Sequence, residues 1–466
     1  MFGEYILNKN HIMELNFKKK ISIIIFNAFF FIPPLTILGP LLPDLIISIT
    51  IIFSFFILLN SDNNFFNIKF RKKFDSFILI FFIFFLFILL GSVINYIKND
   101  ILSYQNFENY FSRSLFLFRF IFYPVSIIYL AKKFDIKIQK KYLLLFLITI
   151  CFVIFDTIFQ YFNGTDIFGF VPIERGVLAI GRLSGPFGDE LIPGSFLMRY
   201  FFISILFIFF LIKNKFYLNI IVFFFIIFCL STVILTGERS ASLLCFFGIT
   251  LFFIFFKSQR FIIGIGSTIF LIISIIVLIQ NPILKKRVID DTLFQFGFSK
   301  NIEEKNPNLK KIFKNIGTSF LHSHYGAHWE TAYEIWKDNK LIGIGLKQFR
   351  YKCSDKKYDN NLSKLKVIRC ATHPHNTYFE VLSETGIIGI FIFLFLIIFL
   401  FKKIYKIYNY DSLIKLPLIS IILLFWPIIT TGSFFTNMTQ IYLSFLLTII
   451  FMIENKMFEN FNKVDQ

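Results

Sequence analysis

Apolar blocks recur along the whole chain, at roughly 21–39, 41–60, 76–96, 114–131, 142–162, 191–212, 216–235, 240–256, 261–280, 386–401, 416–431 and 438–453. Most are close to the twenty or so residues with which a helix crosses about 30 Å of hydrocarbon. Charged residues make up only 17% of 466 positions and apolar residues 56%, too little charge to cover a soluble protein of this size. The chain therefore reads as an all-α polytopic membrane protein with about twelve transmembrane helices. Phe alone accounts for 72 residues, and with abundant Ile, Lys and Asn this excess fits an AT-rich genome better than any chemistry. The net charge of +19 is for the same reason no argument for nucleic-acid binding, because the lysines mostly flank apolar blocks.

Those flanking charges set the orientation. Lys18–Lys20, Lys69, Arg71, Lys72, Lys73, Lys132, Lys133, Lys137, Lys140 and Lys141 fall on one side, followed by Lys213, Lys215, Lys257, Arg260, Lys402, Lys403 and Lys406. The short loops of the other side carry only Lys98, Arg113, Arg175, Arg182 and Arg239. The positive-inside rule puts both termini in the cytoplasm. A polar leader ends at Lys20 without a small-residue cleavage site, so the first apolar block is expected to stay as an uncleaved helix. Residues 1–280 then hold nine helices with short loops, 281–385 form one large outer loop domain, and 386–466 hold the last three helices and a cytoplasmic tail. Long translocated loops escape the charge rule, so the lysines of 281–385 do not contradict this. Within that domain Trp329–Trp336 has the apolar spacing of an amphipathic helix, and Gly343-Ile344-Gly345 reads as a turn after it. Proline should bend the first and fourth spans, at Pro33-Pro34 and Pro124.

Chemistry concentrates on the outer side. His373-Pro374-His375-Asn376 lies just before the tenth span, and Thr377 with Glu380 matches a capping box that would start a short helix ending at Gly386. Two imidazoles held at a helix entrance suit general-base work; a surface turn or an adventitious metal site are the plainer alternatives, and two histidines are weak metal evidence. Thr236-Gly237-Glu238-Arg239-Ser240 is a very short connection whose arginine suits phosphate or carboxylate, unless it pairs with Glu238 or snorkels to the interface. Gly181-Arg182-Leu183-Ser184-Gly185-Pro186-Phe187-Gly188 allows close backbone approach to a ligand, or is a simple turn. Arg119 and Arg199 fall inside spans, where a charge needs a reason: Arg199 can face the same cavity as Arg182 and Arg239, and Arg119 can pair with a buried acid. Asp156 and Gln160, four apart, share a helical face as cavity lining or as interhelical hydrogen-bonding groups. Cys151, Cys229 and Cys245 sit in apolar blocks as packing residues. Cys353 and Cys370, seventeen positions apart in the outer domain, either bridge or remain two thiols.

In order and sidedness, Asp156…Gln160…Gly164-Thr165-Asp166-Ile167-Phe168-Gly169, Arg182–Gly188, Gly237–Ser240 and His375-Asn376…Glu384-Thr385-Gly386-Ile387-Ile388-Gly389 resemble the O-antigen ligase and polymerase superfamily. The resemblance covers about 150–400, with the His-Asn to Gly-Ile-Ile-Gly stretch its most specific part. It implies a GT-C-like glycosyltransferase in the bacterial inner membrane with a periplasmic active site. The donor would be a glycan on undecaprenyl pyrophosphate, with no metal or nucleotide cofactor and no nucleic-acid partner. His375 matches the family's general base, with His373 a second imidazole beside it. Arg239 and Arg182 match the arginines that hold the pyrophosphate, and Arg199 is expected to bind it with them; Asn376, Glu384, Asp156 and Gln160 stand in support. Attack opposite the pyrophosphate would invert the anomeric centre. The implied activity is ligation of glycan to a lipid A–core hydroxyl. O-antigen polymerase and protein O-oligosaccharyltransferase share the donor site and remain alternatives within the membrane-bound enzymes. A flippase or other multi-pass transporter is the alternative outside them, but internal repeats and broken helices, its usual marks, are not evident in the sequence.

Overall fold

A computed structural model of the chain describes residues 2–59, 68–98, 111–172, 180–295, 323–359, 369–428, 432–459 and 461. Arg175 lies outside these residues, as do 296–322 and 360–368 of the large polar segment. The described residues are helical, turn or irregular, with no strand among them. Ten of their helical segments are long and apolar enough to cross a membrane, and the protein is a polytopic membrane protein.

The apolar blocks become helices largely where expected, and prolines explain the irregular ones. Helix α1 (Phe2–Ala28) passes through a 3-10 turn at Phe29–Phe31 into α2 (Ile32–Ile37). Pro33 and Pro34 have no N–H to give the carbonyls of Phe29 and Phe30, so the helix tightens there. Helices α3 (Leu41–Leu59), α4 (Ile68–Lys98) and α5 (Arg119–Lys133) follow. Pro124 inside α5 frees the carbonyl of Phe120, and Ser444 Oγ donates to it at 2.7 Å, so the missing helix bond becomes an interhelical one. Next come α6 (Lys140–Asn163), α7 (Pro193–Leu211), α8 (Lys215–Leu235), α9 (Arg239–Phe255) and α10 (Arg260–Gln280). Helix α11 (His324–Asp338) belongs to the large polar segment, and α12 (Thr377–Tyr408), α13 (Lys415–Leu424) and α14 (Asn437–Glu454) complete the bundle.

One expected span is shorter than the sequence suggests. Helix α9 keeps the 17 residues of its block, but the block at 416–431 is helical only to Leu424. The chain leaves helical geometry around Phe425-Trp426-Pro427, and side chains of α12's first turn take up the carbonyls exposed there. Tyr378 Oη donates to the Phe425 carbonyl at 2.7 Å and Asn376 Nδ2 to that of Pro427 at 2.8 Å. Irregular backbone of this kind is tolerated in a membrane protein where neighbouring side chains satisfy it.

Helices α7 and α14 run through the centre, buried along most of their length. Phenylalanine does the packing there: Phe445 of α14 stacks on Phe29 at 4.5 Å between ring centroids and on Phe146 of α6 at 6.0 Å. A second, small core of Ala332, Ile335, Ile344, Phe349, Cys353 and Tyr358 organises the described part of the polar segment. Cys353 and Cys370 are paired as a disulfide there, with Cα atoms 5.2 Å apart.

That small core is fastened to the bundle at one joint. Gly386, at φ +69°, breaks α12 after its first nine residues. The break exposes two carbonyls and two amides, and the loop after α11 pairs with all four. Ile344 N donates to Ser383 O at 3.0 Å and Gly345 N to Glu384 O at 2.9 Å. Ile387 N donates to Lys340 O at 2.8 Å and Ile388 N to Leu341 O at 3.3 Å. A side chain at Gly386 would strike the Leu341 carbonyl, so only glycine allows this approach. Gly343–Gly345 is thus a turn, as expected, but one plugged into a helix break.

Candidate functional site

The loops α6–α7 and α8–α9, the segment after α10 and the entrance to α12 all meet at one end of the bundle. Arg182 comes from the first of these. Its loop is held from beneath by α6: Gln160 Oε1 accepts from Ser184 N at 2.9 Å and Gly185 N at 2.8 Å, and Asp156 Oδ1 accepts from Ile167 N at 2.9 Å. Both side chains are fully buried and act as struts for the loop rather than as lining of an open cavity.

Arg239 opens α9. The simplest partner for it by sequence is Glu238, yet the structure turns that carboxylate the other way. Glu238 accepts from Gly194 N at 2.8 Å, from Ser195 N at 3.3 Å and from Ser195 Oγ, and lies 3.7 Å from Arg182 Nη2. Burial pushes its carboxyl pKa upward, against the pull of Arg182 and those hydrogen bonds. Glu238 therefore does not pair with Arg239, whose Nη1 is enclosed with no hydrogen-bond partner among the described residues.

A third guanidinium joins them that the sequence did not single out. Lys286–Asp290 makes a π-helical turn, from which Arg287 Nε donates to Gly237 O at 2.8 Å and Nη1 to Ile180 O at 3.4 Å. Arg287 therefore ties together the two loops that carry Arg239 and Arg182. Burial, then the nearby charges of Arg182 and Arg239, push its pKa down to about 10. Arg182, Arg239 and Arg287 thus come together, and the forked donors of guanidiniums match oxyanions geometrically.

Arg199 lies two turns into α7, with its guanidinium over the Tyr442 ring, 5.7 Å from the centroid. It lines a cavity of about 70 Å³ with Ser195, Ser240, Thr377 and Tyr442. Ser240 neighbours Arg239 and Thr377 closely follows His375, so this cavity lies between the two halves of the site. Arg119 is elsewhere, bound through both Nε (3.2 Å) and Nη2 (2.8 Å) to Asp44, the buried-acid pairing considered for it.

The histidines make the other half. His373 and His375 face each other across Pro374 with ring centroids 4.1 Å apart, and Thr372 Oγ1 lies 2.9 Å from His373 Nδ1. Asn376, not Thr377, caps α12, its Oδ1 accepting from Tyr378 N at 2.9 Å and Phe379 N at 3.2 Å. The expected capping box fails because Glu380 is engaged elsewhere: it accepts from Ser433 Oγ and, at 2.8 Å, from Phe434 N. Glu384 Oε2 accepts from Lys347 N at 2.7 Å, reinforcing the Gly386 joint.

Helix α11 brings a third imidazole that sequence reasoning passed over. His328 stacks on His375 at 5.3 Å, and Tyr325 meets His375 edge-on at 5.6 Å. Tyr325 also lies within electrostatic reach of Arg287, which brings the imidazoles and the guanidiniums into one neighbourhood. The available clue was spacing: Tyr325 and His328 are three apart on a helix and so share a face. Arg287 offered no such clue, because in Lys285-Lys286-Arg287 it looks like one more solvated loop charge. Among the described residues no group of three His, Cys, Asp or Glu side chains is placed to hold a metal ion.

Fold and site together define a polytopic membrane protein with a group of guanidiniums and a group of imidazoles at one end of its bundle. Residues 223–394 match the family model described as O-antigen ligase, so this part of the chain is similar to that family. The match includes Arg239, Arg287, His328, His373 and His375, and leaves Arg182 and Arg199 before its start. No curated protein matches the chain.

Proposed function

We propose that this protein is an O-antigen ligase that moves a glycan from undecaprenyl pyrophosphate to a hydroxyl of lipid A–core, on the outer face of a bacterial inner membrane. The observation that carries this is the grouping of Arg182, Arg239 and Arg287 at the same end of the bundle as the His373–His375 pair, within a chain whose residues 223–394 match the O-antigen ligase family. Arg182, Arg239 and Arg287 grip the donor pyrophosphate and offset the charge that grows on it as the glycosidic C–O bond breaks. Arg199, in the cavity it shares with Ser240 and Thr377, adds a further positive charge for the pyrophosphate. His375 accepts the proton of the acceptor hydroxyl while its oxygen attacks the anomeric carbon from the face opposite the leaving group. The products are an inverted glycoside, undecaprenyl pyrophosphate and a proton held on the imidazole. Guanidiniums supply the positive charge in this scheme, so neither metal nor nucleotide takes part.

Glycolipid analysis of a deletion strain tests the assignment. A ligase deletion leaves full-length polymer on the lipid carrier and bare lipid A–core. Single repeats on lipid A–core would instead make the protein a polymerase, and unchanged lipopolysaccharide with an altered glycoprotein profile would make it a protein glycosyltransferase.

A further inference from the structure

At the same end of the bundle, a second pocket of about 490 Å³ shares no lining residue with the cavity at Arg199 and none of the site arginines or histidines. The start of α3, the segment leading into α5, the start of α14 and the loop at Lys347 enclose it. Its polar side groups are Asp44, Ser48, Arg113, Arg119, Lys347 and Asn437.

Charge in this pocket does not balance locally. Asp44 is committed to Arg119 and to Asn437 Nδ2, which donates to it at 2.6 Å. Arg113 and Lys347 remain. Arg113 Nη1 is enclosed with no hydrogen-bond partner. Lys347 is held in left-handed backbone geometry, φ +57°, by the bond from its N–H to Glu384. Burial and then the charge of Arg113 both push the Lys347 ammonium pKa down. Arg350 is a third cation nearby, and Glu384 and Glu380 are the acids behind. Those carboxylates are already taken, Glu384 by the amides of Lys347 and Phe349 and Glu380 by Ser433 and Phe434. Two like charges are thus aimed into one pocket with their acids turned elsewhere, an arrangement that an anion relieves.

The remaining wall says where that anion comes from. Leu41, Leu45 and Phe116 line the pocket, and they are 72%, 46% and 60% exposed on segments apolar enough to lie in a membrane. A soluble anion has no use for such a rim, whereas a lipid does: acyl chains follow the apolar side and the headgroup meets the cations. We infer that Arg113 and Lys347 bind the phosphate headgroup of a membrane lipid, whose chains run down the exposed faces of α3 and the segment entering α5. This site is separate from the pyrophosphate site proposed above and stands whether or not that assignment is right.

Lipid titration of the purified full-length protein in neutral detergent tests it, read by native mass spectrometry. The probes are phosphatidic acid, phosphatidylcholine and inorganic phosphate. Phosphatidic acid should bind at least about tenfold more tightly than phosphatidylcholine, and the double variant Arg113→Gln, Lys347→Gln should lose about tenfold to a hundredfold of that affinity. The charge-preserving pair Arg113→Lys, Lys347→Arg should keep most of it and controls for misfolding. Arg239→Gln should leave it unchanged, which separates this pocket from the proposed pyrophosphate site. Equal binding of the two lipids, or undiminished binding by the Gln pair, overturns the inference. Displacement of phosphatidic acid by equimolar inorganic phosphate would make it a free-anion site and overturns the lipid assignment.

Discussion

His375 sits at φ +55°, a backbone region that costs a residue other than glycine roughly 1–2 kcal/mol. Asn376 holds it there by capping α12 and by binding Pro427 O, so the imidazole is aimed by the chain on both sides. Asparagine tolerates this geometry, which makes His375→Asn the cleanest removal of the proposed base. Transfer should fall by about 10²–10⁴-fold in that variant with membrane insertion and thermal stability unchanged. Normal transfer in His375→Asn with loss in His373→Ala would move the base to the neighbouring ring. The arginines make a separate demand. Nη1 of Arg239 has no hydrogen-bond partner among the described residues, and if its fork grips two phosphate oxygens, Arg239→Lys should be nearly as damaging as Arg239→Ala. Steady-state kinetics on the two variants decide this; full activity with lysine would mean that charge alone suffices. At this scale the sequence was informative where residues cluster locally, as in His373-Pro374-His375 and Gly237-Glu238-Arg239. It was silent on Arg287 and His328, whose importance comes only from the distant segments they meet.

Among the elements, the broken helix α12 joins the bundle to the small core beside the site. Its four backbone hydrogen bonds across Gly386 depend on positive φ and on the absence of a side chain. Gly386→Ala should therefore lower both the unfolding temperature and transfer, whereas alanine at exposed Phe391 further along α12 should do neither. Glu384→Gln replaces one of two accepting oxygens by an N–H₂ that faces an amide donor, a loss of about 1–3 kcal/mol measurable by thermal unfolding in detergent. The Cys353–Cys370 bridge closes a loop of similar consequence, about 3 kcal/mol in the chain-entropy model. Thiol labelling without reductant should leave both unreacted, and full labelling of both would show that no bridge forms. The short helix ending at Gly386 was legible because glycine punctuates an apolar pattern. The capping box was not: Thr377 and Glu380 have the right spacing, but Ser433 and Phe434, some fifty residues away, claim the carboxylate. The early end of α13 was hidden for the same reason, since the carbonyls released there are met by side chains of α12.

For the molecule as a whole, hydrophobic block length carries most of the fold, because a bilayer leaves a chain few options, and the twelve blocks reappear as ten long helices and two shorter apolar ones. Sidedness rests on the lysine-rich connections, and it makes a direct prediction. A membrane-impermeant thiol reagent applied from the periplasmic side should label Lys357→Cys, beside the small core, and spare Tyr405→Cys, near the other end of α12. The reverse pattern would invert the topology and put the site in the cytoplasm. The proposed transfer of a glycan from pyrophosphate to a hydroxyl through His375 can be followed with purified protein in liposomes given an undecaprenyl-pyrophosphate-linked glycan and lipid A–core. Glycosylated lipid A–core of inverted anomeric configuration should form, with undecaprenyl pyrophosphate released in equal amount and neither product made by His375→Asn. Movement of the intact donor across the bilayer without transfer, undiminished in His375→Asn, would contradict it and mark the protein as a transporter.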